Sequence, residues 1–169
     1  MGEFLNPVQT VNDIYGWVGF LIAAVGGVVT FLTIAWMGLF AWYRIGRGLA
    51  KRKIAIFAEA QFEELKHLLV DSRMIKEKNI SKIGPGEIGR AQSCSLYLVH
   101  YAPFKDKIEE ILARKRDSDA LIVYAPPGEG RVEPEIMTKV NEQRNSTVVN
   151  FRGRLLNDIF TSMVTTSFK

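Results

Sequence analysis

Two stretches with different hydrophobic patterning divide the chain. Residues 14–43 run for 30 positions without a charged side chain, reading YGWVGFLIAAVGGVVTFLTIAWMGLFAWY over Tyr15–Tyr43. A helix that crosses about 30 Å of hydrocarbon needs roughly 20 apolar residues. One span therefore fits, with its best core at 18–40. Two spans would need about 40 residues and a polar turn between them, and neither is present. Tyr15, Trp17, Trp36, Trp42 and Tyr43 fall near the ends of the run, where amphipathic rings settle at headgroup level.

Beyond Lys53 the pattern changes to short apolar runs alternating with helical spacing. Ile54–Phe57 is an apolar run, and Phe62, Leu65, Leu68 and Leu69 then recur at helical intervals, with Glu63, Glu64 and Lys66 on the other face. Residues 79–83 predict a short strand ending at Gly84-Pro85-Gly86, and residues 93–101 (SCSLYLVHY) predict another. Pro103 opens a predicted helix over 103–117 with Ile108, Ile111 and Leu112 as its stripe. Residues 120–125 (ALIVYA) have the continuous apolarity of a central parallel strand. A turn-rich loop over 126–131 follows, then a proline-started helix from Pro134 through Val140, a β-branched strand at 147–151 and a final helix at 154–163. Repeated strand–helix units argue for a parallel sheet covered on both faces. The expected fold is α/β: a single N-terminal transmembrane helix, then a small, doubly wound, mostly parallel five-stranded sheet of Rossmann-like type. Some 115 residues are too few for a closed (β/α)₈ barrel.

Charge orients this arrangement. The net charge of the 169 residues is +4, with a pI near 9.2. Arg44, Arg47, Lys51, Arg52 and Lys53 crowd into residues 44–53, whereas residues 1–43 carry only Glu3 and Asp13. The basic pI thus comes from a collar beside the span and gives no ground for specific nucleic-acid binding. By the excess of basic residues after the span, the N-terminus faces outward and the α/β domain lies in the cytoplasm. The collar attracts anionic headgroups at roughly 1 kcal/mol per basic residue. A cleaved signal peptide fits less well: no basic segment precedes the run, and its apolar core is too long. The reading is an extracytoplasmic N-terminus (1–14), a span (15–43), a basic collar (44–53) and a cytoplasmic domain (54–169) in the inner (cytoplasmic) membrane. One cysteine excludes a disulfide-stapled module. With only His67 and His100 as histidines, the sequence offers no metal-ligand cluster, and structural zinc is excluded in practice.

Gly19, Ala23 and Gly27 share one face of the span and would let two backbones approach closely. They are the candidate surface for homo-oligomerisation, set against the ordinary glycine content of membrane helices. In an open α/β sheet, ligands bind outside the carboxyl ends of the strands. Those ends carry Glu59 with Gln61, the 84–89 loop, His100, the Gly128-Glu129-Gly130-Arg131 loop and Arg152-Gly153-Arg154. Gly128, Gly130 and Arg131 suit an anion held by backbone N–H groups and a guanidinium, and Arg152 and Arg154 suit a phosphate or carboxylate clamp. Each could equally be a surface turn or a local ion pair. His100 could act as a base or touch a ligand. Gly84, Gly86 and Gly89 match G-x-G-x-x-G but follow a poor strand and open no helix, so they read as a turn. Cys94 reads as a buried small side chain.

The alternation, with KIAIFA as its first strand and SDALIVYA as its fourth, resembles the receiver and Toll/interleukin-receptor (TIR) signalling domains. A single-pass anchor joined to such a domain looks like the membrane effectors and sensors of bacterial defence systems. The TIR resemblance implies a catalytic glutamate in the helix after a strand, for which Glu110 is the nearest match. The serine and the tryptophan–cysteine pair usual around it are missing. For a receiver, Glu59 supplies one acid, and Tyr101 stands where the phosphoacceptor aspartate belongs. Three functions are thus expected in order. The first is a non-enzymatic signalling or effector protein that binds a nucleotide-derived ligand or a cytoplasmic partner protein. The second is a scaffold subunit of a membrane complex, and the third is a membrane-tethered NAD- or nucleotide-processing enzyme using Glu59 or Glu110.

Overall fold

A computed structural model of the chain describes residues 7–73 and 75–166. The first six residues of the expected extracytoplasmic segment lie outside the described residues, as do the side chains of Arg44 and Arg47 in the collar. Two compact units result, residues 1–45 and 46–169.

The first unit is built on helix α1 (Pro7–Lys51), which extends beyond the uncharged run at both ends. Within Tyr15–Tyr43 the apolar side chains stand exposed, Phe31 at 71% and Leu39 at 70%. Thr33 turns its hydroxyl back onto the Val29 carbonyl at 2.8 Å, so this polar group is satisfied within the helix, as an apolar solvent requires. The helix is long and apolar enough to cross a membrane, or to serve as a signal sequence. A helix that is apolar all round and uncovered belongs in an apolar medium.

The second unit is a five-stranded, all-parallel sheet in the order β2-β1-β3-β4-β5. Its strands are β1 (Ile54–Phe57), β2 (Ile80–Lys82), β3 (Leu96–His100), β4 (Ala120–Tyr124) and β5 (Ser146–Val149). Every residue of β1, β3 and β4 is buried, which is why these three read as unbroken apolar runs. Alternation then splits the core into two layers. Ala55, Phe57, Tyr97, Val99, Leu121 and Val123 pack with α4 (Ile108–Arg114) and α5 (Pro134–Glu142) on one face. Ile54, Ile56, Leu96, Leu98 and Ile122 pack with α2 (Phe62–Asp71) and α6 (Arg152–Thr165) on the other. The sheet is therefore doubly wound, as the alternation predicts.

Four local expectations need correction. Residues 88–93 form a 3₁₀ segment, so the third strand begins at Leu96. The helix expected over 103–117 is interrupted: α3 (Tyr101–Phe104) passes through a 3₁₀ turn at Lys105–Lys107 into α4, which ends at Arg114. There Lys115 leaves the helical line, and its Nζ donates to the Arg144 carbonyl at 2.5 Å. The last helix starts at Arg152, so Arg152-Gly153-Arg154 is its first turn and not a loop before it. Finally, Arg52 does not belong to a solvated collar. It is 6% exposed and donates to Thr166.

Candidate functional site

The strand order places the topological switch between β1 and β3. The chain leaves β1 to one side for β2 and returns to its other side for β3. In parallel sheets the crevice outside the carboxyl ends of such a strand pair is the standing ligand position. Phe57 and Val99 are paired partners at this end, so the residues just beyond them line the crevice.

Three side chains from three connections meet there. Gln61 comes from the turn after β1, where its carbonyl accepts the Leu65 N–H at 3.0 Å and starts α2. His100 is the last residue of β3, is 5% exposed, and has its ring 6.2 Å from that of Tyr124. Glu129 comes from the loop after β4. Its Oε2 lies 2.5 Å from His100 Nε2, and its Oε1 accepts from Gln61 Nε2. An ionised carboxylate has no proton to give, so the imidazole carries its proton on Nε2, facing the glutamate. Gly128 and Gly130 flank Glu129 with φ of +99° and +102°. Side chains rarely adopt such angles, and the two glycines let the loop turn the Glu129 carboxylate inward.

Charge continues along the same edge. Tyr124, at the end of β4, is held above the ordinary phenol range by burial, with Arg152, Glu64 and Glu129 each exerting a charge effect on it. Arg152 Nη1 donates to Glu64 Oε1, joining the first turn of α6 to that of α2. The far end of the Glu129 loop is pinned on the opposite side. The Glu133 N–H donates to the Tyr101 hydroxyl at 3.2 Å, and Lys105 Nζ lies 2.6 Å from the Glu133 carboxylate.

Of the residues expected from sequence, His100, Gly128, Gly130 and Arg152 thus lie in or beside this constellation. Arg131 is exposed on the same loop and Arg154 is exposed in the first turn of α6. Neither has an ion pair among the described residues. The candidate acids are placed differently. Glu59 sits at the exposed bend after β1, with no ion pair or side-chain hydrogen bond among the described residues. Glu110 lies on α4 and is occupied locally, with Arg114 at 3.1 Å and Lys107 at 3.6 Å. Gly84-Pro85-Gly86 makes a turn closed by the Glu87 N–H on the Gly84 carbonyl at 3.0 Å. Cys94 is buried, as expected, and burial pushes its thiol up. In α1, Gly19 and Gly27 have no atom within 4 Å of where a Cβ would stand, so their face is open; Ala23 is likewise exposed.

The sequence places Glu129 within the glycine loop but assigns the ligand role to Gly128, Gly130 and Arg131. A single acid between two glycines after the most apolar strand is a usable signal. Gln61 lies at a strand end in the sequence, and nothing in its local pattern marks a role. The chain matches no protein-family model, no curated protein and no solved structure.

Proposed function

We propose that this is a membrane-anchored signalling or effector protein. Its Rossmann-like α/β unit binds an anionic, nucleotide-like ligand at the carboxyl edge of the sheet. The observation that carries this reading is the convergence of Gln61, His100 and Glu129 at the β1/β3 switch point. Nothing in packing requires a nearly buried histidine, an amide and a carboxylate to meet at the mouth of a crevice, whereas recognition of a polar ligand does. The exposed Arg131, Arg152 and Arg154 on the same edge supply cations for phosphate. Helix α1 supports a single membrane pass, and the basic excess that follows it supports an outward N-terminus with the α/β unit in the cytoplasm. On this reading the protein acts in the way of the TIR-like effectors its sequence resembles. Ligand binding biases self-assembly of the spans along the Gly19, Ala23 and Gly27 face, which requires different affinity for the assembled and unassembled forms.

Equilibrium dialysis of ATP and NAD⁺ against the full chain in nanodiscs tests the binding edge. Saturable binding of either, lost in Gln61→Ala, is the expected result. No binding of either would remove the nucleotide reading.

A further inference from the structure

We infer that the Glu129 carboxylate is an internal placeholder, filling between Gln61 and His100 the subsite that a phosphate or carboxylate group of the ligand takes. The inference rests on the binding edge proposed above and names the chemistry of its deepest contact.

The two donors and the acceptor are mounted differently. Gln61 is fixed by the start of α2, and His100 by the last register position of β3, where it pairs with Tyr124. Both are thus set on adjoining rigid elements. Glu129 rides on residues 126–133, which hold no helix or strand, between two glycines at positive φ. Its side chain is 34% exposed against 6% for His100. The ends of this loop are held: the Ala125 N–H donates to the Val149 carbonyl at 3.0 Å, and the Glu133 N–H to Tyr101. Between them the Glu129 N–H donates to the Pro126 carbonyl at 3.3 Å and Val132 packs on the core, so the part able to re-aim is the short Gly128–Arg131 turn, and its acid is Glu129.

The chemistry of the contact is that of oxyanion recognition. Gln61 Nε2 donates to one carboxylate oxygen and His100 Nε2 to the other. A phosphate presents the same pair of acceptors. A ligand oxyanion therefore exchanges with Glu129, bond for bond, and no buried donor is left unsatisfied. Arg131, two residues further along the same loop, has no ion pair among the described residues. Movement of the loop brings that cation into play as the acid departs. Glu129 thus resists weak anions and admits a ligand whose other contacts outweigh one displaced carboxylate.

The test uses pyrophosphate and the full chain in phosphatidylcholine nanodiscs, titrated calorimetrically. Glu129→Ala is expected to tighten pyrophosphate binding about tenfold or more, the scale of charge-assisted hydrogen bonds released from competition. Gln61→Ala added to that variant is expected to reverse the gain. Glu129→Gln, which keeps the size of the side chain, is expected to tighten binding less and is read instead should the alanine variant fail to fold. Trypsin cleavage after Arg131 is expected to accelerate in Glu129→Ala without ligand, and to slow when pyrophosphate engages Arg131. Phosphatidylglycerol nanodiscs without pyrophosphate distinguish the source: the same slowing there would assign the subsite to a lipid headgroup. Unchanged or weaker pyrophosphate binding by Glu129→Ala, or by Glu129→Gln in its place, overturns the placeholder. ATP or NAD⁺ binding lost in Gln61→Ala, without any tightening by Glu129→Ala, overturns the placeholder alone. Failure of pyrophosphate, ATP and NAD⁺ to bind wild type or variant overturns the binding edge as well.

Discussion

The guanidinium of Arg52 donates to both the hydroxyl and the carbonyl of Thr166, 114 residues further along the chain, with 2.6 Å to the carbonyl oxygen. Arg52 is the residue directly after α1, and Thr166 directly follows α6. One buried cation therefore ties the entry of the α/β unit to its last helix. Burial lowers the affinity of this guanidinium for its proton, yet an arginine stays charged at any physiological pH. Arg52→Ala should cost about 2–3 kcal/mol, since it removes charge-assisted bonds and strands the Thr166 carbonyl. Arg52→Lys should recover less than half, because an ammonium cannot serve both acceptors in one plane. Hydrogen exchange of the β1 and β3 amides in the full chain measures both, and full protection in Arg52→Ala would show that the tie is dispensable.

Tyr97 is 1% exposed, and its hydroxyl has no hydrogen-bond partner among the described residues. Burial, helped by the charge of Asp119, pushes the phenol up to about 12. The folded value lies above the unfolded one of about 10, so the protonated form is favoured by folding. Its contribution is complete below pH 10 and is lost as pH rises towards 12, about 2–3 kcal/mol in all. Tyr97→Phe should remove that alkaline loss and be neutral or slightly stabilising at pH 7, because an unpartnered hydroxyl is deleted. Unfolding midpoints of the two proteins at pH 8 and pH 11.5 give the comparison, and parallel alkaline losses would refute it.

What could be read in the sequence follows what each element is buried against. Strands β1, β3 and β4 are covered on both faces, so their residues are apolar in succession and stand out. Strand β2 has only three residues, half-buried at best, and was legible mainly through the Gly84-Pro85-Gly86 turn after it. The 3₁₀ segment at 88–93 has no periodicity long enough to read. The 3₁₀ turn at Lys105–Lys107 leaves no periodic signal, and the end of α4 at Arg114 falls where Lys115 reaches Arg144, a contact between distant segments. The same holds for the site. His100 could be picked out as a histidine at a strand end, and Gly128 and Gly130 as turn formers. That Glu129 meets Gln61, 68 residues away, or that Arg152 meets Glu64, 88 residues away, depends on strand order, which local patterning does not encode.

The Arg152–Glu64 pair offers a separation of stability from binding. Both side chains are about half exposed, 56% and 50%, and pairs of this kind contribute under about 1 kcal/mol. Replacing Arg152 and Arg154 together by alanine should leave the unfolding free energy within about 1 kcal/mol. ATP or NAD⁺ binding should fall about tenfold, the scale of a lost charge-assisted contact. Equal affinity in the double variant would take both arginines out of the binding edge.

The membrane reading of α1 can be tested at the middle of its apolar run. Val28 is 58% exposed and lies near the centre of Tyr15–Tyr43. An arginine there carries an insertion cost of about 2.5–3.5 kcal/mol, close to a hundredfold in the partition between membrane and water. Val28→Arg should therefore move much of the protein into the alkaline-extractable fraction, while Val28→Leu stays with the membrane. The intact mass of the membrane-bound wild type separates an anchor from a signal sequence, because an anchor keeps residues 15–43 and a cleaved signal does not. An unshifted Val28→Arg protein would mean that the exposed apolar surface of α1 is covered by protein and not by lipid.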